Sequence, residues 1–565
     1  MRLLYTAILV ALLHSIAFLN AASGWEYAQS GQIVTDVLME EDGDVISGGL
    51  QTNATDEIVV VKHSSADGTE QWRYSLNVGG PTYQSGVSVA QDASGGTFAA
   101  SYQRERDGEF IGVVAKLSSD TGGELWRTDP TGFVGIHAIS VDVAGDLFAA
   151  GAISGPSPSD HDLIVLKLAG STGVEIWRYV ITGSVDGIDG DTAWAVAVDS
   201  AGDVYAGGRI YDDAVLGYAD FFVVKLSGSN GSEIWRQKIL SVAGHGGRVE
   251  AITLDHDGNV IPVGQAVTGV GWCDWVVAKL DPTDGEELWR AVFDEGGCDK
   301  ALAVSVDPSG DIVATGGRGL TLFVTMKFSG TDGSLLWRHD IENLGQCTGG
   351  GCALGRAVAV HANGDAFVVG TDPIGDFIVA RLKASDGDEL WRRVIDYDGC
   401  GDSPWSLAVN PAGNLAIGGS VFAQVGGVCA WPQGGQYAVI KLNGDSGDDF
   451  TISPELAQCQ ADLEQALAQL DQCLLDPTIP DEDDDGIPDW LDACPSTAPS
   501  AEVDQGGCSL AQFCALTDPT TKIGRRVCKR SDWKNDEPHM PSRDRDCHID
   551  KNGPGREDDQ CTPVL

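Results

Sequence analysis

Apolar residues in this chain come in short runs separated by turn formers, and the pattern returns about every fifty positions. Over residues 193–239 the runs read AWAVAVD (193–199), DVYAGG (203–208), FFVVKL (221–226) and EIWRQKI (233–239), with SAG and SGSNG between them. Runs this short, rich in Val, Ile, Phe and Trp and bounded by Gly, Asp, Asn and Ser, predict strands joined by hairpin turns. The last run of each copy closes on Trp-Arg, at Trp72, Trp126, Trp177, Trp235, Trp289, Trp337 and Trp391. First strands begin near Val37, Val87, Ile139, Val196, Ile252, Val304, Val358 and Leu407. A period of this length means one supersecondary unit copied about an axis.

Four antiparallel strands per copy and eight copies predict an all-β fold, an eight-bladed β-propeller over residues 24–452. Trp25, in GWEYAQSG, resembles a fourth strand without its preceding three, while the last unit ends in DSGDDFTI with Phe450 in place of the Trp. Either end can close the ring. Closure by the amino-terminal strand is preferred, because joining the two chain ends removes exposed edges. Lys62, Lys116, Lys167, Lys225, Lys279, Lys327, Arg381 and Lys441 each precede by eight residues Glu70, Glu124, Glu175, Glu233, Glu287, Leu335, Glu389 and Asp449. That spacing predicts a cross-strand pair in each third hairpin, with only Leu335 lacking the acid, and sets Val114 opposite Trp126. The Trp is expected to pack between blades. The Asp of VDSAGD, LDHDGN and VDPSGD is expected to form turns.

These residues also carry a resemblance. AVAVDSAGDVYAGG with FFVVKL resembles the repeat of secreted bacterial β-propeller proteins. LSSDTGGELWR and LAGSTGVEIWR are similar to the tryptophan-docking repeat of pyrroloquinoline-quinone (PQQ) dehydrogenases and of the related non-enzymatic outer-membrane assembly scaffold. The resemblance covers about residues 24–450 and implies an eight-bladed ring. It is weak for activity, since propellers host many unrelated functions. The quinone enzymes would show a vicinal Cys-Cys pair and larger insertions; neither is in this sequence, and PQQ is not expected as a cofactor.

Residues 1–22 combine Arg2, an apolar run and small residues, the three parts of a secretory signal peptide, and no second apolar run is long enough to span a membrane. The expected location is secreted, extracellular or periplasmic, without a transmembrane anchor. Fourteen cysteines in an exported chain read as disulfide candidates. Cys273, Cys298, Cys347, Cys352, Cys400 and Cys429 map to connections that open on one rim, where bonds would staple the longer loops.

The pattern changes after Phe450. Residues 454–475 place Leu456, Cys459, Leu463, Ala466, Leu470 and Cys473 at steps of three and four, the seam of a helix, and a homodimeric coiled coil is one reading of it. Docking on the propeller or a helical hairpin is the other. In DEDDDGIPDWLDACP, Asp481, Asp483, Asp485, Ile487, Asp489 and Asp492 occupy the one, three, five, seven, nine and twelve positions of a calcium loop. Pro477 and Pro480 exclude an entering EF-hand helix. The segment 476–508 instead resembles a thrombospondin type 3 repeat, and that resemblance implies a Cys494–Cys508 bridge. Residues 509–565 form a polar tail with Cys514, Cys528, Cys547 and Cys561.

The net charge of −47 opposes nucleic-acid binding. No HExxH, GxSxG, P-loop or strand-to-helix GxGxxG is present. The expectation is a non-enzymatic binding or surface-interaction protein with a protein or glycan ligand. The alternative is an extracellular propeller enzyme, either a quinone-dependent dehydrogenase or a polysaccharide hydrolase or lyase. Copies differ most in their connections, so ligand contacts are expected on the stapled rim, at Trp272, Trp275, Trp431 and Tyr437.

Overall fold

A computed structural model describes residues 25–444 except for residue 31 and connection segments at 53–55, 78–85, 105–109, 156–160, 184–189, 212–218, 240–245, 269–272, 320–321, 342–353, 373–375, 397–401, 423, 426–427 and 430–434. Eight four-stranded antiparallel sheets follow one another along the chain. The inner strands are Gln32–Met39, Ser88–Gln91, Phe133–Val141, Thr192–Val198, Arg248–Leu254, Lys300–Val306, Leu354–Val360 and Ser403–Val409, and each touches the inner strands of its neighbours. They surround a central channel, with later strands of each blade stepping outward. Among the described residues, no helix is long and apolar enough to cross a membrane.

The ring closes through its beginning. Strand Trp25–Ser30 pairs antiparallel with Gly435–Leu442 and completes blade 8, with Trp25 opposite Lys441. Phe450 lies outside the described residues.

Neighbouring blades are held by a device repeated round the ring. The outer-strand Trp lies over the third turn of the next blade, so that a Cβ placed on Gly231 would overlap the ring of Trp177. Gly231 also has φ +71°, a conformation L side chains rarely adopt, so the turn and the docking surface need the same residue. The Trp177 Nε1–H donates to the Gly228 carbonyl at 3.1 Å, and Lys167 Nζ donates to the same oxygen at 3.1 Å. Trp235 and Lys225 converge likewise on Pro282 O, and Trp289 and Lys279 on Gly330 O.

This geometry corrects the expected charge pairs. A bulge in the third hairpin shifts the ladder, so Lys167 faces Trp177 and Leu168 faces Glu175. By the same shift Lys116 faces Trp126, and Val114 faces Thr128. The lysine finds its acid on the other side, in the first turn of its own blade: Lys167 pairs with Asp142 at 3.0 Å, Lys116 with Asp92 at 2.6 Å and Lys327 with Asp307 at 2.7 Å. The turn aspartates do form turns as expected, Asp199 Oδ1 accepting from the N–H groups of Ala201 and Asp203. Their second oxygen serves the buried lysine. The outer-strand Glu pairs with the Arg three residues on, as Glu175 does with Arg178, and also bonds a Tyr of the preceding blade, as Tyr74 does with Glu124 at 2.7 Å.

Candidate functional site at the channel mouth

Seven of the eight inner strands are interrupted near their starts. The ladder between first and second strands skips one residue at Thr35, His137, Trp194, Glu250, Leu302, Arg356 and Trp405, in seven of the eight blades. Val87 holds the same place in blade 2. A bulge leaves its extra residue unpaired and re-aims the side chain. Here the bulged residues are partly or well exposed while the residue before each is buried, and they line the channel at the end where the inter-blade connections enter. That end also carries the connections between second and third strands, since Asp299 N–H bonds the Cys273 carbonyl and Asp191 N–H bonds that of His161.

The bulged side chains differ from blade to blade and engage one another. His137 stacks on Trp194 with ring centroids 4.2 Å apart, and the Arg248 guanidinium lies 5.3 Å from the Trp194 ring. Arg248 also holds Glu250 at 2.5 Å. In an eight-membered ring blade 8 stands opposite blade 4. There, Arg356 lies over Trp405 at 4.7 Å, a cation–π contact, and Trp405 is 42% exposed. Burial, with Arg209 and Arg248 nearby, pushes His137 down to about 4, so its imidazole is neutral at ordinary pH.

On the other flank a cavity of about 290 Å³ is lined by Thr35, Asp36, Ser88, His137, Trp405 and Ser406, among others. Asp36 stands where the other blades carry Ser or Ala. Its Oδ1 accepts from Ser406 Oγ at 2.8 Å and from Val37 N–H at 2.9 Å, and its Oδ2 from Val89 N–H at 3.0 Å, joining blades 8, 1 and 2. Burial raises its carboxyl to about 6 despite these bonds.

The residues singled out from sequence fall differently. Trp275 is 1% exposed and packs with Trp289, Val277 and Met326 between blades 5 and 6. It is a core residue, in a strand, Asp274–Leu280, whose residues are buried throughout between neighbouring blades. Tyr437 lies in the third strand of blade 8, its backbone facing Gln29 and Ser420. Cys273 and Cys298 have Cα atoms 4.5 Å apart with their sulfurs in bonding contact. Cys429 lies in the short ribbon Gln424–Val425 and Val428–Cys429. Trp272, Trp431, Cys347, Cys352, Cys400, Cys494 and Cys508 lie outside the described residues, as do the calcium candidates Asp481, Asp483, Asp485, Ile487, Asp489 and Asp492. The sequence did hold a signal for the bulged ring. Five residues before the turn residues Asp142, Asp199, Asp255 and Asp307, the chain reads His, Trp, Glu and Leu within otherwise uniform Ala and Val.

Residues 219–443, from the third strand of blade 4 to that of blade 8, match the family described as outer membrane protein assembly factor BamB. No curated protein sequence matches the chain significantly. Among solved structures, the chain is similar to BamB from Moraxella catarrhalis at 14% identity and a TM-score of 0.43, covering 74% of this chain and 100% of that one. It is similar to the quinohemoprotein alcohol dehydrogenase of Comamonas testosteroni at 14% identity and a TM-score of 0.47, over 75% of this chain and 76% of that one. Sqt1 of Chaetomium thermophilum matches at 10% identity and a TM-score of 0.47, over 74% and 97%.

Proposed function

We propose that this chain is a secreted, non-enzymatic binding protein that takes its ligand at the channel mouth. The ring of bulged residues carries this reading. Eight blades share one scaffold, and at this one column they present Thr35, Val87, His137, Trp194, Glu250, Leu302, Arg356 and Trp405, a different side chain at nearly every blade. Apart from the buried Val87 these side chains reach solvent, and variation at such a column suits recognition, because rigid strands hold the contact groups and little conformational freedom is lost on binding. The match of residues 219–443 to the family described as outer membrane protein assembly factor BamB supports a protein partner.

In this reading the amino-terminal 22 residues direct export, the bond between Cys273 and Cys298 staples one rim connection, and residues 476–508 act as a calcium-stabilised spacer. The test is a glycan, surface-polymer and protein binding array on the purified chain, repeated with Trp405→Ala, together with an absorbance screen for bound quinone. Loss of binding in the variant supports the reading. Quinone-dependent oxidation or polysaccharide cleavage by the purified chain would replace it with the enzyme reading.

A further inference from the structure

In a chain of net charge −47, buried cations are systematically neutralised. Lys116, Lys167, Lys279, Lys327 and Arg381 each have a turn carboxylate and a carbonyl of the next blade. The inner strands of blades 5 to 7 depart from that rule. Arg248 and Lys300 occupy one column of neighbouring blades, seven residues before Asp255 and Asp307, and Arg356 stands two positions along in blade 7. Among the described residues, neither Lys300 nor Arg356 has a carboxylate within ion-pair distance, and the Glu250 of this group is held by Arg248.

Burial, and then the neighbouring charges of Arg248 and Arg356, lower Lys300 from the ordinary lysine range. Among the described residues, Arg356 Nε is shielded from solvent with no hydrogen-bond partner, and Trp194 Nε1, beside Arg248, is in the same condition. Crowded like charges and unmet donors each cost stability in the empty protein. One acceptor carrying negative charge would offset both.

We propose that Arg248, Lys300 and Arg356 receive an anionic group, a carboxylate or a sulfate, borne by the ligand of the channel mouth. This rests on the reading of the mouth as the binding site and names the chemistry that site selects. Arg248 lies over Trp194 at 5.3 Å and Arg356 over Trp405 at 4.7 Å, contacts that restrict where both guanidinium groups can go. The Arg356 guanidinium, with its unmet Nε, suits the paired oxygens of a carboxylate or sulfate, while Arg248, already bound to Glu250, contributes through its remaining nitrogen and its charge.

The experiment is calorimetric titration of the full chain with sodium sulfate, with an oligogalacturonate, and with a neutral galactose oligomer of the same length. Each is repeated on Lys300→Met and Arg356→Gln, with melting curves to confirm that the variants fold and Lys300→Arg as the charge-conserving control. At least one acidic probe should bind, tenfold or more weaker in either charge-removing variant, near normal in Lys300→Arg, and weaker as salt rises. Binding of sulfate alone identifies a free-anion site; preference for the oligogalacturonate identifies an acidic saccharide. Acidic probes that fail to bind at millimolar concentration, or that bind equally to wild type and both variants, overturn the assignment. If the neutral oligomer binds and loses affinity in Trp405→Ala but not in Lys300→Met or Arg356→Gln, the anion assignment falls while the binding role stands.

Discussion

The indole of Trp25 rests on Gly68 of the first blade while its strand completes the eighth, and Trp25 is 1% exposed. This strand is therefore the clasp of the whole ring. Trp25→Ala should cost about 3–5 kcal/mol, the range for emptying a fully buried Trp site. Removal of residues 25–30 should lower the melting temperature of the entire propeller in a single transition, read by calorimetry. An unchanged transition would mean that another strand closes the ring.

Lys327 is 5% exposed and depends on Asp307 at 2.7 Å. Asp307→Asn keeps an oxygen for the turn N–H groups of Ser309 and Asp311 but removes the charge. Breaking a buried pair is costly, and with Asp311 still 3.3 Å from Lys327 the expected loss is about 2–3 kcal/mol by denaturant unfolding.

Leu335→Glu gives the opposite expectation. The position faces solvent, and the Arg338 it would meet already holds Glu295 and Asp340 at 2.5 and 2.6 Å. A third acid adds little to a satisfied, partly exposed guanidinium, so stability should stay within about 0.5 kcal/mol. A larger loss would place Leu335 in packing that its exposure contradicts.

Asp36 should leave a signature in the pH dependence of stability. Its folded carboxyl titrates at about 6, above the ordinary 3.8, so the folded ring holds this proton more tightly than the unfolded chain. The contribution is full below pH 4 and is lost as pH rises through 6. Its size is about 1–2 kcal/mol once partial exposure is allowed for. Carboxylates such as Asp92 and Asp255 titrate below their ordinary value and act in the reverse sense, losing stability as pH falls. The test is therefore the difference between wild type and Asp36→Asn across pH 4 to 7. A difference independent of pH would refute the assignment.

Much of the ring was legible in the chain, and the reason is physical. Trp177 and its equivalents recur because each must lie on a turn of the next blade, and a repeated packing demand writes a repeated residue. The pairing of Lys167 was misread because one bulged residue in a turn changes every register beyond it, and an eight-residue spacing cannot show whether a bulge intervenes. Trp275 was taken for a rim aromatic because it follows Cys273 in a variable stretch; it already belongs to the strand Asp274–Leu280, which is buried on both faces between neighbouring blades. The channel mouth was missed for a related cause. His137, Trp194 and Arg356 stand out from the small apolar residues around them, but their runs read as ordinary strand, and an unusual residue in a strand does not show that the ladder skips it.

The bulge has an evolutionary consequence. Because the ladder passes over Thr35, His137, Trp194, Glu250, Leu302, Arg356 and Trp405 without pairing them, a codon change at one of these sites leaves the backbone pairing of its blade in register. Duplication of a blade copies the architecture intact, and later drift at this column alone can rewrite what the opening accepts. The lineage can thus explore new ligands one blade at a time while the joints between blades stay under constant selection.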